Sequence, residues 1–401
     1  MRKVMIGVLL CCLLVPLELS ASKVEIGKNK EVLLDGKPFF PIMLWLQKKT
    51  SMAQQKEMGF NTYAAQGDKS SAKEYCDEAK KNGVYTILGY KKEEVDSVKE
   101  HSALLGWFYK DEPDMAGKDK AAPRIPMSES IAVYEECKKA DRGHLMFLTL
   151  TTGYAKTSDA NSAGNKGKDL SFYKQYAKAT DFIGYDTYPI YGNNMPECLF
   201  WVADAATELD KLMEGKKPLY AWIEANGGSK WITPSKQRHP LPFEIRCEVW
   251  MAIVKGCKAI GYFTHSWVAM DQIGNPASTL KRGESKYYTQ FGVPENNKQE
   301  IGKINKQITK LTGPLCSADV KDKVKTDNKN IELLVKEYDN KLYIFAVNMK
   351  RQEEKAVFAV SGLKEKTKIN VDEENRDITA KDGEFEDSFK EHEVHIYIME
   401  K

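Results

Sequence analysis

The sequence predicts an α/β protein, a (β/α)8 (TIM) barrel followed by a small C-terminal antiparallel β-sandwich domain. Three observations predict this fold. Eight short β-rich runs alternate with amphipathic helical patterns, loops that lead from a strand to a helix are long whereas return loops are short, and the helical period disappears after about Thr312. With 401 residues the chain has room for a barrel of the usual size, roughly 250 residues, and an appended domain.

Residues 1–21 have the pattern of a secretory signal peptide. Arg2 and Lys3 precede an apolar run, and the small residues Ser20-Ala21-Ser22 suit cleavage after Ala21. The apolar run is too short and wrongly flanked for a membrane span, and no other run of the sequence approaches that length. We therefore expect a secreted, extracellular or periplasmic protein that begins at Ser22.

The barrel is expected over residues 22–312. The predicted strands are Phe40–Gln47, Phe60–Ala65, Val84–Tyr90, Leu104–Tyr109, His144–Leu150, Phe182–Tyr188, Pro218–Ile223 and Ala259–Thr264. Helical patterns cover Ser71–Asn82, Ser128–Ala140, Leu199–Glu214, Pro242–Lys255 and Asn297–Leu311. An open doubly wound sheet is the alternative, but no glycine-rich fingerprint follows the first strand.

The loops of the predicted barrel differ in length between its two faces. Return loops from helix to strand are tight, as at Asp141-Arg142-Gly143. The long, polar loops from strand to helix cover residues 111–127, 151–168, 189–197, 226–241 and 266–296. Because barrel enzymes place their sites on strand-to-helix loops, we expect function at the C-terminal ends of the strands.

Residues 313–401 are expected to form the β-sandwich domain. Its predicted strands are Ile331–Lys336, Lys341–Asn348, Lys355–Val360, Thr367–Val371 and Val394–Met399. Turns are expected at Asp339-Asn340 and at Lys381-Asp382-Gly383. The domain contains no Trp, which favours a role in packing over one in sugar binding.

Charge and cysteine content exclude several classes of protein. Sixty Lys and Arg against 57 Asp and Glu give a net charge of +3, which is too small to indicate a nucleic-acid-binding protein. The six cysteines after the signal peptide are scattered without a C-x-x-C pair, so zinc is not expected and no disulfide pairing is assigned. A lipid anchor at Cys11 is disfavoured because Leu10, rather than a small residue, precedes it.

Two glutamates follow strands on opposite sides of the predicted barrel. Glu112 lies just after the fourth strand and Glu224 just after the seventh, so both belong to its C-terminal mouth. Cleavage of a glycosidic bond requires two carboxyls, one protonated and one ionised. The structural alternatives are that Glu112 is a solvated or capping carboxylate in a polar turn and that Glu224 pairs with Arg238 or Arg246.

At these positions the sequence resembles the clan A superfamily of retaining glycoside hydrolases. The family's Asn-Glu-Pro at the end of strand four appears as Asp111-Glu112-Pro113, and Val32–Pro41 is similar to the segment that precedes the first strand in such enzymes. The resemblance covers about residues 24–312. It implies Glu112 as general acid/base and Glu224 as nucleophile, with no metal and no organic cofactor.

Asp111 departs from the family pattern. The family's Asn holds the sugar 2-hydroxyl, and an ionised Asp can accept but cannot donate that hydrogen bond. Its negative charge beside Glu112 also raises the pKa of the acid. We expect Asp111 to contact substrate.

Further strand-end residues are candidates for the sugar site. Asp186 is a third carboxylate, expected as a substrate ligand and as the rival nucleophile to Glu224. Tyr188 is a candidate hydrogen-bond donor to the nucleophile, and His265 either binds a hydroxyl or is structural. The aromatic candidates for contact with sugar rings are Trp45, Trp222 and Trp267, of which Trp267 is the leading stacking platform.

The leading hypothesis is a secreted retaining glycoside hydrolase that cleaves β-glycosidic bonds of a poly- or oligosaccharide by double displacement. The alternative is a non-catalytic glycan-binding protein on a degenerate glycosidase barrel, with Asp111 as the mark of lost activity. The expected partner is a carbohydrate, and the near-neutral charge favours a neutral or weakly charged glycan. Oligomeric state, sugar identity and linkage do not follow from the sequence.

Overall fold

The computed structural model describes residues 22–116, 123–155 and 170–401. The predicted signal peptide, residues 1–21, lies outside the described residues. No helix of the described part is long and apolar enough to cross a membrane. The six cysteines among the described residues are all buried and free.

Eight parallel strands close into the predicted barrel, which excludes the open doubly wound sheet. They are β4 (Ile42–Gln47), β5 (Thr62–Gln66), β6 (Tyr85–Gly89), β7 (Leu104–Phe108), β8 (Leu145–Thr151), β9 (Phe182–Asp186), β10 (Leu219–Glu224) and β11 (Cys257–Phe263). Each strand pairs with the next along the chain, and β11 pairs back with β4. The predicted strands match these within two residues at each end.

Helices follow the barrel strands on the outside. They are α1 (Met52–Lys56), α2 (Ala72–Asn82), α3 (Lys92–Val98), α4 (Met127–Ala140), α5 (Trp201–Leu212), α6 (Pro242–Val254), α7 (Glu295–Lys310) and α8 (Thr312–Cys316). Between β8 and β9 the described residues form a 3-10 helix, Leu170–Lys178. The five predicted helices are confirmed within two residues at each end.

The strands carry two apolar faces, which is why they read as continuous hydrophobic runs. In β10, Ala221 and Ile223 pack towards the helices, whereas Tyr220 and Trp222 belong to the cluster inside the barrel. Helix α6 is apolar nearly all round because it lies between the barrel and the C-terminal domain.

The C-terminal domain consists of two antiparallel sheets around one apolar core. Its strands are β12 (Val324–Thr326), β13 (Ile331–Tyr338), β14 (Lys341–Asn348), β15 (Glu354–Val360), β16 (Lys368–Val371), β17 (Arg376–Thr379), β18 (Glu384–Phe389) and β19 (Val394–Glu400). The predicted turn at Asp339-Asn340 is confirmed, with positive φ at both residues. Strands β12, β17 and β18 were not predicted, because charged residues on their outer faces mask the short apolar pattern.

A three-stranded antiparallel sheet precedes the barrel and was also not predicted. It contains β1 (Val24–Ile26), β2 (Val32–Leu34) and β3 (Lys37–Phe39). A two-residue turn joins β2 to β3, with positive φ at Asp35 and Gly36. Asp-Gly is a strong signal for such a turn, so the hairpin was readable in the sequence.

Candidate active site

Four of the candidate carboxylates lie at the C-terminal ends of barrel strands. Asp111 and Glu112 follow β7, Asp186 ends β9, and Glu224 ends β10. This is the face with the long loops, where barrel enzymes place their sites.

Glu112 has an uncommon backbone conformation. Its φ of +43° lies in the left-handed region, which residues other than glycine rarely adopt, and Pro113 follows it. Such conformations cost about 1–3 kcal/mol and are concentrated at functional sites. The turn leaves the Glu112 side chain 17% exposed.

The carboxyls of Glu112 and Asp186 lie within hydrogen-bonding reach of one another, and Oδ1 of Asp186 is buried without a hydrogen bond to the described residues. Burial raises the pKa of both, and the charge of Glu112 raises that of Asp186 further. A hydrogen bond between the two carboxyls needs one proton, because two ionised carboxylates cannot donate to one another, and the raised pKa of both groups favours that proton. Arg124, whose Nη2 lies 3.9 Å from Oε2 of Glu112, and the charge of Lys230 oppose the rise in the pKa of Glu112.

Two aspartates complete the acidic cluster around Glu112. Burial, and then the charge of Glu112, raise the pKa of Asp111 to about 7, while its backbone carbonyl accepts a hydrogen bond from Arg124. Asp114 is buried and accepts hydrogen bonds from the backbone N–H and the hydroxyl of Thr151 at 2.9 and 2.6 Å, and from the Tyr173 hydroxyl at 3.2 Å. Asp114 therefore anchors the turn that carries Glu112 to the end of β8.

Lys230→Met is expected to raise the pKa of Glu112, because the variant removes a positive charge that favours the ionised carboxylate. If Glu112 must be protonated as general acid, activity is lost as pH rises through this pKa. The alkaline limb of the kcat/KM profile should then move to higher pH. Lys236→Met, which alters an exposed lysine in the same loop, is the control and should leave the limb in place.

Glu224 has a different set of contacts. Its side chain is fully buried and accepts hydrogen bonds from the backbone N–H groups of Ile190, at 2.8 Å, and Tyr191, and it contacts the carboxyl of Glu248 in α6. Burial raises its pKa to about 7. Neither arginine considered from the sequence pairs with it, because Arg238 binds Glu244 and Arg246 binds Glu300.

Glu248→Gln is expected to make the protein more stable at pH 8 and to change it little near pH 4.5. In the wild-type protein the raised pKa of Glu224 means that the folded state holds a proton which the unfolded state releases, so stability falls as pH rises from about 4.5 to about 7. Burial and the charge of Glu224 raise the pKa of Glu248 well above its ordinary value, so Glu248 also holds a proton in the folded state. A glutamine amide donates to Glu224 without needing that proton, which recovers about 1–3 kcal/mol at pH 8. Thermal unfolding at both pH values measures the difference, and an equal fall in both proteins would contradict it.

A series of aromatic rings leads away from the carboxyls, and we call it the aromatic wall. It consists of Tyr188, Phe263, Trp267, Trp231 and Tyr288. Ring centroids are 5.1 Å apart for Tyr188 and Phe263 and 6.1 Å apart for Phe263 and Trp267. Tyr188 is half-buried, and burial together with the charges of Asp186, Asp111 and Glu112 raises the pKa of its hydroxyl, which places it beside the acidic cluster.

His265 supports this wall from behind. Its Nε2 lies 3.1 Å from the carbonyl oxygen of Trp45, which can only accept, so Nε2 carries the proton and Nδ1 accepts from the Tyr288 hydroxyl at 3.0 Å. Burial lowers the pKa of the imidazole. Both ring nitrogens are occupied, so His265 orients Tyr288, which is 50% exposed, rather than offering a free nitrogen to a sugar hydroxyl.

Trp45 and Trp222 lie inside the barrel. Their ring centroids are 5.2 Å apart, and the indole N–H of Trp222 donates to the Thr149 hydroxyl at 2.9 Å. They are 9% and 3% exposed, so they offer a ligand little surface. Trp267 is more accessible, and it lines a pocket of about 270 Å³ with Trp231, Lys230 and Lys281.

Several residues at this face were missed by the sequence interpretation. Arg124 and Asp114 are defined by contacts with the turn at Glu112, and Lys281 reaches the pocket from a loop 50 residues after Trp231. The adjacent Lys230-Trp231 pair in the long loop after β10 was the one signal that could have indicated the pocket.

No protein-family model and no curated protein sequence matches the chain. Solved structures do match its fold. A structure described as a glycoside hydrolase aligns with a TM-score of 0.58 and 12% identity over 94% of this chain and 97% of that one. The α-amylase of Geobacillus thermoleovorans complexed with acarbose gives 0.55 and 11% over 94% and 95%, and Amy13B of Eubacterium rectale gives 0.53 and 7% over 90% and 94%.

At these identities the likeness concerns the fold, and it extends over both the barrel and the C-terminal domain because nearly the full length of each chain is aligned. The exact family is not identified. The chain has the parallel eight-stranded barrel with a C-terminal β domain that these glycoside hydrolases have.

Proposed function

We propose that the protein is a secreted retaining glycoside hydrolase that cleaves β-glycosidic bonds of a poly- or oligosaccharide. The observation that carries the proposal is the contact between the carboxyls of Glu112 and Asp186 at the C-terminal mouth of the barrel. One proton shared by two carboxyls supplies both an acid and an ionised group near neutral pH, which is the combination that glycoside cleavage requires.

The proposed reaction has two steps. Glu112 protonates the oxygen of the leaving sugar while a carboxylate attacks the anomeric carbon, so the glycosidic C–O bond breaks and a glycosyl ester forms. Glu112, now ionised, takes a proton from water, and the water oxygen attacks the anomeric carbon and releases the carboxylate. The reducing sugar leaves with the same anomeric configuration as the substrate bond.

Two carboxylates are candidates for the nucleophile. Glu224 is proposed from its position at the end of the seventh barrel strand, where clan A enzymes have theirs. The contacts favour Asp186, which is half-buried and contacts Glu112, whereas Glu224 is fully buried among Ile190, Tyr191 and Glu248. A retaining pair stands roughly 5–5.5 Å apart, so an entering sugar must separate the two contacting carboxyls.

The surroundings and the fold support this proposal. The aromatic wall begins at Tyr188 beside the carboxyls and offers ring faces to the C–H surfaces of sugars. Among the structures that share the fold, one is an α-amylase complexed with acarbose.

The test is a screen of purified residues 22–401 against plant, algal and host glycans, with analysis of the released sugars. We expect new reducing ends on at least one glycan, and the first product seen by proton NMR should keep the substrate's anomeric configuration. Inversion would overturn the double displacement. Binding of a glycan without hydrolysis would favour the alternative, a non-catalytic glycan-binding protein.

Export is part of the proposal. Expression of the full sequence in a bacterial host should give a protein outside the cytoplasm whose N-terminus, read by mass spectrometry, is Ser22. A cytoplasmic protein that retains residues 1–21 would contradict it.

A further inference from the structure

The pocket beside the aromatic wall contains two cations that have no acidic partner. Lys230 and Lys281 both line it, together with Trp231 and Trp267. Among the described residues, no carboxylate oxygen lies within 4.0 Å of either amine, whereas about half of the other lysines form such ion pairs. Glu284 is near, but its carboxylate accepts a hydrogen bond from the backbone N–H of Lys281.

The Lys230 amine is held over aromatic surface. Its Nζ lies 5.1 Å from the ring centroid of Trp231 and 5.2 Å from that of Trp267. Cation–π contacts of this kind are worth about 0.5–2 kcal/mol and restrict the amine, while no atom of the described residues accepts a hydrogen bond from it. The amine is therefore positioned for an anion that enters the pocket.

The pocket is connected to the candidate catalytic carboxyls. Trp267 is in ring contact with Phe263, and Phe263 with Tyr188, which lies beside Asp186 and Glu112. The positive charge of Lys230 opposes the rise in the pKa of Glu112. A short oligosaccharide bound along these rings, with its cleaved bond at the carboxyls, would extend into the pocket.

The acidic cluster makes the cations necessary for one class of substrate. Asp111, Glu112, Asp114 and Asp186 share a small volume at the mouth. A negatively charged glycan is repelled there unless positive charge on the protein compensates. A neutral glycan would gain no charge–charge interaction from two lysines that have no carboxylate partner among the described residues, in a pocket that two indole rings already line.

We propose that the substrate is an anionic glycan, and that Lys230 and Lys281 bind a carboxylate or sulfate group of a sugar a short distance from the cleaved bond, with Trp231 and Trp267 against its ring. This replaces the neutral or weakly charged glycan favoured by the overall charge. The substrate class rests on the proposed glycosidase function, whereas the anion site stands on the pocket itself.

The site is tested by calorimetric binding of oligosaccharides to the Glu112→Gln variant, which prevents turnover. The probes are β-1,4-linked oligomannuronates and their methyl esters, which differ in charge, and sulfated and desulfated galactan oligosaccharides. We expect an anionic member to bind about tenfold more tightly than its neutral counterpart, as expected for a charge-assisted contact, and to lose this advantage in high salt. Preference for the carboxylate or the sulfate series identifies the group.

Three variants in that background assign the effect to the pocket. Lys281→Met and Lys230→Met should each remove about tenfold of the affinity for the anionic probe and change neutral binding less than twofold. Lys281→Met is the cleaner of the two, since Lys230 also lies over the rings of Trp231 and Trp267. Lys236→Met, the exposed control lysine of the same loop, should change neither.

The outcomes separate the two proposals. Lysine-dependent binding of an anionic glycan that the wild-type protein never hydrolyses would support the anion site and count against the glycosidase. Hydrolysis of a neutral glycan in preference to its anionic counterpart, with the rate on the anionic member unchanged by both lysine variants, would overturn the anionic substrate and leave the glycosidase in place. Equal affinity for charged and neutral members in every series, unchanged by either lysine variant, overturns the anion site whatever the catalytic result.

Discussion

Replacing Glu112 with Gln is expected to lower kcat/KM on a natural glycan by about 10²–10⁴-fold, the usual contribution of a general acid/base. The amide has nearly the same shape, but it cannot give a proton to a leaving sugar oxygen. Its N–H can still donate to Asp186, so the fold should keep its thermal stability. Initial rates on the glycan that the screen identifies measure the loss.

A second substrate makes this result specific to the acid role. An aryl glycoside with an acidic phenol as leaving group needs little protonation, so the Glu112 variant should form the glycosyl ester at a near-normal rate and then stall, giving a burst of phenol. Azide, which needs no base, should restore turnover and give a glycosyl azide with retained configuration. An equal loss on both substrates, without rescue, would contradict the acid/base role of Glu112.

Glu197→Gln provides the matched control for Glu112→Gln. Glu197 is an exposed glutamate on a loop of the same barrel face, after β9, and it forms no contact with the acidic cluster. Its replacement should leave activity unchanged. A comparable loss there would mean that the assay responds to the net charge of the face.

The barrel was predictable because each of its strands satisfies a local rule. Runs such as Leu145–Thr151 are apolar on both faces, and glycine or polar turns bound them, so the pattern needs no knowledge of distant residues. The short strands β17 and β18 were not predicted because half of their side chains are charged, and only the finished sheet shows which of their side chains face the core.

The positions of the site residues were predictable, but their contacts were not. Strand order places Glu112, Asp186 and Glu224 at one face. Whether Glu112 contacts Asp186 or Glu224 depends on the left-handed turn at Glu112, and the burial of Glu224 depends on backbone N–H groups of another loop and on Glu248, 24 residues later in the chain. These are tertiary contacts, and no spacing along the sequence encodes them.

Covalent trapping decides between the two candidate nucleophiles. A 2-deoxy-2-fluoro glycoside with a good leaving group should form a long-lived glycosyl ester, because fluorine destabilises the transition states of both steps and the leaving group rescues only the first. We expect the label on the peptide that contains Asp186, since its carboxyl lies beside Glu112 and its Oδ1, although buried, accepts no hydrogen bond from the described residues. Tandem mass spectrometry of the digested protein locates it.

Amide variants of the two carboxylates should then behave differently. Asp186→Asn is expected to abolish labelling and to lower kcat by about 10⁴-fold or more, as the loss of a catalytic nucleophile typically does. Glu224→Gln should keep the label and most of the activity, but lose about 1–3 kcal/mol of stability, because the amide nitrogen cannot accept from the backbone N–H groups of Ile190 and Tyr191.

The opposite pattern is equally informative. A label on Glu224, with an inactive but stable Glu224→Gln protein, would restore the assignment that the resemblance to clan A implies. It would also mean that substrate binding breaks the contacts of Glu224 with Ile190, Tyr191 and Glu248 and brings a fully buried carboxylate into the mouth. Asp186 would then be the residue that shares a proton with the acid Glu112, and Asp186→Asn should shift the pH profile without preventing the label.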